Sequence, residues 1–235
     1  MSAITKKELK AYFLSPIGYV FMGVMLLMFG FFYAQVIAGG SSGYIPDVYS
    51  SVFVWVMMIL LPLITMRSFS EETRNKTDQG LLTAPVGVLS IVFGKFLAAF
   101  LMFAITMMLS LIPAVIITFV SSPDWPKILC TFLGALLCGA AFIAIGNFIS
   151  SLTQSQMVAA IATFGVSMLL LLVGSLSSSV NNTTLQNILN WLSFNARYQP
   201  FTKGVFDVSS MVFFLSVVAV FVFLTARKLE SKRWS

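Results

Sequence analysis

Residues 128–149 read ILCTFLGALLCGAAFIAIGNFI, a stretch without a single charge. A helix needs about 20 mostly apolar residues to cross the hydrocarbon core of a bilayer, and this run is long enough. Its apolar positions do not form one stripe. They surround the axis, as in a helix that faces lipid or other helices on every side. Small residues crowd it: Gly134, Cys138, Gly139, Ala140, Ala141, Ala144 and Gly146. Small side chains let helices approach closely, so this pattern reads as packing within one subunit rather than as a substrate site.

Outward from this run, five more of the same character lie at 17–38, 48–65, 91–120, 157–176 and 208–226. Lys95 is counted with the connection 66–95, so no charge is assigned to the interior of any span. Of the 235 residues, 58% are hydrophobic and 9% charged, against about 25% charged in ordinary soluble domains. Mean hydropathy is +0.95. A soluble globule could not hide that much apolar surface. The fold expected is all-α: one polytopic transmembrane domain, 1–235, with six spans. The methionine pairs Met57-Met58 and Met107-Met108 read as ordinary lipid-facing residues.

Fourteen Lys and Arg against eight Asp and Glu leave a net charge of +6. These charges sit at the ends of apolar runs, so they speak of topology and contact with anionic lipid headgroups, not of nucleic acid. Eleven of the fourteen cations fall in the N-terminus, the 66–95 and 150–156 connections and the C-terminus; only Lys127, Arg197 and Lys203 fall in the other set. Positive charge is retained in the cytoplasm, so both termini are expected there. The N-terminus resembles a secretory signal in outline, but its apolar run is longer than a signal core, and retention is expected. Thr5-Lys6-Lys7-Glu8 has capping-box form. Leu9, Tyr12 and Phe13 then recur at helical spacing, which fits either an interfacial helix over 3–14 or a plain basic leader.

Several chemistries lack their residues. Ion-coupled transporters usually carry an ionisable group inside the membrane, and none is assigned there. Without His, an H-E-x-x-H metal site is impossible. Cys130 and Cys138 are eight residues apart, about 12 Å along a helix and too far for a disulfide. Gly94-Lys95 is followed by Phe96 and lacks the upstream glycine of a phosphate-binding loop. No catalytic, metal or cofactor residue is assigned, and the chain reads as a non-enzyme.

The one long polar stretch on the cytoplasmic side is Arg67 to Val86, RSFSEETRNKTDQGLLTAPV. Ser68 and Glu71 have capping-box spacing. Glu72 with Lys76, and Arg74 with Asp78, stand at i,i+4. Gly80 and Pro85 are helix stops. A short charged helix over 68–80 is expected, either a solvated loop element or a lever that docks on a cytoplasmic protein.

This segment resembles the signature of type-2 ABC exporter permeases, in particular the gliding-motility-type branch. The matching residues are Arg67, Glu71, Glu72, Arg74, Thr77, Leu81, Leu82, Thr83, Pro85 and Val86. Lys76, Gln79 and Gly80 depart from the pattern. Residues 146–156, GNFISSLTQSQ, resemble the family's link between the fourth and fifth spans, and residues 197–207, RYQPFTKGVFD, the element before the last span. The resemblance implies a coupling helix that fits a cleft on a separate nucleotide-binding subunit, which holds ATP and Mg. It implies a second permease chain, as homo- or heterodimer, and a bacterial plasma membrane. It assigns the ATPase contact to Glu71, Glu72, Arg74 and Thr77, with a smaller one at Ser151, Thr153 and Gln156. Segment 177–207 would be an external re-entrant gate with Trp191, Phe194, Arg197, Lys203 and Asp207; a surface loop with one interfacial helix remains the alternative. The cargo expected is amphipathic or lipid-like. A membrane scaffold that binds a cytoplasmic partner without moving cargo and an ATP-independent channel-like protein are the other readings.

Overall fold

A computed structural model describes residues 2–39, 45–75, 87–119, 123–177 and 183–234. It is helical, with no strand among those residues. Six helices are long and apolar enough to cross a membrane: Pro16–Ala38, Asp47–Arg74, Val88–Ile117, Trp125–Leu152, Gln156–Gly174 and Val208–Ser231. These are spans 1 to 6. A short helix, α1 (Ser2–Leu14), precedes span 1, which is α2 (Pro16–Ala38). The α1–α2 corner follows from local chemistry. Ser15 caps α2 by accepting from the Ile17 N–H, and Pro16 supplies the preset backbone angle of a first helical residue.

Span 2 is one rod with a defect. It comprises α3 (Ile45–Trp55), a π turn (Val56–Leu60), α4 (Leu61–Thr65) and α5 (Arg67–Arg74). Pro62 has no N–H to give the ladder, and the wide turn just before it absorbs the mismatch, with the Leu61 N–H reaching back to the Val56 carbonyl. Span 3 breaks at Ser110 and Leu111, between α6 (Val88–Leu109) and α7 (Ile112–Ile117), whose first turn holds Pro113. Spans 4 and 5 are α8 (Trp125–Leu152) and α9 (Gln156–Ser177). Two short helices, α10 (Thr183–Leu192) and α11 (Phe194–Thr202), lead to span 6, α12 (Val208–Trp234).

Span 4 is the axle. Its best window is 78% buried, against 22% for spans 1, 5 and 6. In lipid the hydrophobic effect does little to hold helices together, so close packing must. A Cβ added at Gly134, Gly139 or Gly146 would come inside 3.0 Å of Phe201, Phe103 and Thr65 respectively. Each glycine thus admits a different neighbour to the backbone of α8. Phe103 is fully buried and cannot swing away. Gly139→Ala should therefore destabilise by about 1–3 kcal/mol despite alanine's better helix propensity. The thermal midpoint in detergent reads this, and adding Phe103→Leu should restore part of the loss.

Four expectations change. Residues 68–74 do not begin a separate helix: Met66 keeps helical backbone angles and α5 continues span 2. Polar residues end a hydropathy window without ending a helix. Ser68 is consequently inside the helix and buried, so it caps nothing; Thr5 likewise lies inside α1, which starts at Ser2. Lys95 lies within the helix of span 3, so the spans are not free of charge. Finally, Met57 and Met107 are buried in the bundle rather than turned to lipid, while Met108 faces out. The remainder of the proposed coupling helix, including Lys76, Thr77 and Asp78, falls outside the described residues.

Candidate functional site

At one end of the bundle α1, the end of span 2 and the start of span 3 meet around Lys95. Its side chain is only 2% exposed. An isolated buried ammonium would cost several kcal/mol of desolvation, so it needs partners. It has three. Nζ donates to Glu72 Oε1 at 2.8 Å and to the Ser68 carbonyl at 2.7 Å, and lies 3.3 Å from Glu8 Oε1. The Phe69 ring lies beneath it, with Nζ 5.3 Å from the centroid. One lysine thereby joins α1, α5 and α6.

A second set of contacts fixes the same elbow. Arg67 forks onto Glu71, Nε to Oε2 at 2.6 Å and Nη2 to Oε1 at 3.2 Å. Its Nη1 also donates to Ser15 Oγ, the cap of α2. Tyr12 of α1 donates to the Ile64 carbonyl at 3.1 Å, and burial pushes its phenol above the ordinary range. From the end of α8, Ser150 Oγ accepts from the Phe69 and Ser70 N–H groups, each at 3.2 Å, and donates to the Met66 carbonyl at 3.1 Å. An open cavity of about 310 Å³ sits among Lys7, Glu8, Arg67, Glu71, Glu72 and Lys95. Its six ionic side chains balance in sign. Helix α1 is therefore docked on spans 2 and 3: Leu9 and Phe13 pack on the core, and Lys6, Lys7 and Lys10 point out.

The residues singled out in the sequence separate here. Arg74 is exposed, and Glu71 is partly so. Glu72 turns inward to Lys95. Ser151 is 1% exposed and donates to the Phe148 carbonyl, so its side chain is not on the surface. Thr153 accepts from the Ser155 N–H at 3.2 Å in the turn into α9, and Gln156 begins that helix half-buried. Three residues that tie the elbow, Lys95, Ser150 and Tyr12, are not among the site residues the sequence singles out, although Tyr12 belongs to the helical pattern of the N-terminus and Ser150 to the 146–156 stretch.

From the middle of the bundle toward the end away from the elbow, α11 runs beside α8. Phe194 meets Phe142 at 4.9 Å between centroids, some 25 Å along α8 from Trp125 at about 1.5 Å per residue. Gly204, just past α11, comes back to the level of Lys127. Tyr198 stacks on Phe53 of span 2 at 4.0 Å, and Phe201 fills the notch at Gly134. So one face of α11, with Phe194, Tyr198 and Phe201, packs against the bundle, while Asn195, Ala196 and Gln199 on the other are exposed. Arg197 lies over Trp191 and Phe213, 5.7 and 5.5 Å from the ring centroids, and its Nη1 donates to Ser209 Oγ at 2.9 Å. Asp207 caps α12, accepting from the Ser210 hydroxyl at 2.5 Å and from the Ser209 and Ser210 N–H groups. The Ser210 hydroxyl leads in holding its carboxyl below the usual range, with the two N–H groups and Arg197 adding to it. Trp191, Phe194, Arg197 and Asp207 are thus brought together at the head of span 6, while Lys203 is exposed at the end of α11.

Comparison with curated proteins finds no match. Comparison with protein families does: the model described as ABC-2 family transporter protein matches residues 33–226, from within span 1 to within span 6. With six apolar spans and a match over most of its length, the chain belongs to the ABC-2 transporter family and is a membrane permease subunit of an ABC transporter.

Proposed function

We propose that this permease is half of the membrane part of an exporter, driven by a separate nucleotide-binding subunit that docks on the elbow at the end of span 2. The cargo is amphipathic or lipid-like. The elbow and both termini face the cytoplasm of a bacterial cell, in keeping with the bias of cations to that side. The observation that supports the coupling role is the buried Lys95. It binds α1, α5 and α6 into one block, so a push on the exposed face of α5 moves the ends of spans 1, 2 and 3 together. Two states of the pair of permeases can then be biased by contacts made at this one place.

Glu71, Arg74 and Thr77 are the direct contacts in this reading; Glu72 positions the elbow through Lys95. Thr153 and Gln156, at the neighbouring turn, form the smaller contact. ATP and Mg stay on the partner chain. The residues gathered at the head of span 6 form the external gate. Co-purification tests the class of function. An ATP-binding subunit should come down with the permease and turn ATP over faster in the complex than alone. A bound partner whose turnover is indifferent to the permease would favour the scaffold reading.

A further inference from the structure

Helix α11 begins deep in the bundle. Phe194 meets Phe142, and Phe201 fills the notch at Gly134. Along α8 these two positions lie about 25 and 13 Å from Trp125, at about 1.5 Å per residue. So α11 runs from the middle of a hydrocarbon core about 30 Å thick toward the side away from the elbow. One face packs inward through Phe194, Tyr198 and Phe201. The remainder divides into unlike flanks. Ala196 and Pro200, four apart, are apolar. Asn195, Gln199, Thr202 and Lys203 stand at i, i+4, i+7 and i+8, which sets them in one polar line along the helix. Asn195, Gln199 and Lys203 are exposed, and Thr202 is partly so.

Such a line is out of place against lipid. An amide that exchanges water for hydrocarbon loses its hydrogen bonds, and an acyl chain offers none in return. Arg197, on the same helix, is also partly exposed at this depth. An ionised group inside the membrane calls for a partner or a water-filled space. Of its five N–H donors, Nη1 serves Ser209 and Nε reaches the Trp191 carbonyl at 3.4 Å. A lone exposed amide could be matched by a helix of a second copy across a dry contact. This line is not isolated. It continues to Lys203, next to Gly204, which lies against Lys127 in the first turn of α8. That continuity with the end of the bundle favours water as the occupant.

We propose that a water-filled crevice runs along α11, from the surface at Lys203 to the middle of the bilayer at Asn195. For the amphipathic cargo of the reading above, it keeps the polar end hydrated over that part of the path. That use rests on the reading; the crevice itself does not, and its test needs no ATP. Cys130 and Cys138 are replaced by Ala in the full-length protein, which is placed in lipid nanodiscs open to reagent on both faces. Single cysteines are then offered a quaternary-ammonium methanethiosulfonate, a cation that hydrocarbon excludes. Leu101→Cys is the control. Leu101 is exposed and stands two residues from Phe103, which packs at Gly139, so it shares the depth of α11 and turns away from the bundle. Asn195→Cys and Gln199→Cys should react at least about tenfold faster than the control, because lipid withholds both the reagent and the thiolate. If Asn195→Cys fails to fold, Gln199→Cys decides the matter. Reaction at either position no faster than the control, in folded protein, would overturn the proposal. So would oxidative coupling of Gln199→Cys to a second copy with the reagent excluded.

Discussion

Lys95→Met should lower the thermal midpoint of the permease in detergent by more than any single exchange at the exposed face of the elbow. The ammonium is 2% exposed and serves Glu8, Glu72 and the Ser68 carbonyl together. Breaking a buried pair by removing one partner costs about 3–5 kcal/mol, because the other charge is left unpaired. Here the two carboxylates keep some access to water, at 17% and 19% exposed, which places the expected loss at the lower end of that range. The diagnostic variant is Lys95→Met combined with Glu8→Gln and Glu72→Gln. Removing all three charges removes the unpaired ones too, so much of the midpoint should return. ATPase stimulation should not return with it, because the block that joins α1, α5 and α6 is still undone.

Charge reversal on the exposed face gives the complementary result. Arg74→Glu should leave the stability within about 0.5 kcal/mol of the parent, as surface exchanges away from packed features do. It should nonetheless reduce permease-stimulated ATP turnover at least tenfold, since the few hot-spot residues of a docking surface, arginine prominent among them, are worth about 2 kcal/mol or more. Glu71→Lys should reduce it as well. That variant also strips Arg67 of its fork, so Arg74→Glu is the cleaner probe. Reversing Glu72 mixes two effects, because it sets a second cation beside the buried Lys95. The sequence treats Glu71 and Glu72 as equals, and the structure separates them. Turnover in Arg74→Glu equal to the parent would count against docking at this face.

The six spans were legible because length and apolarity suffice: a bilayer demands some twenty apolar residues, and each run supplies them without help from periodicity. That same uniformity hid everything about facing. Met57 and Met107 are as apolar as lipid-facing residues, and only the packing shows that they turn inward. The charged elbow was legible as a feature and misread as an element. Ser68 and Glu71 have the spacing of a cap, but a cap also requires that the preceding residues leave helical angles, and Met66 does not. By sequence Lys95 counts with the connection 66–95, yet it lies inside the helix of span 3. Its burial depends on Glu8 and Glu72, at large separations along the chain, which no local pattern encodes. The packing of α11 is hidden in the sequence for a similar reason. Phe201 finds its place only through Gly134, and Tyr198 only through Phe53.

The most direct measurement is thiol labelling at position 74. Cys130 and Cys138 are first replaced by Ala, and Arg74→Cys is introduced into that background. A membrane-impermeant maleimide is then offered to sealed cells and to inverted membrane vesicles. The expected result is no labelling from outside, labelling in inverted vesicles stripped of the ATP-binding subunit, and protection when that subunit is restored. Labelling of intact sealed cells, or equal labelling with and without the subunit, would contradict the account.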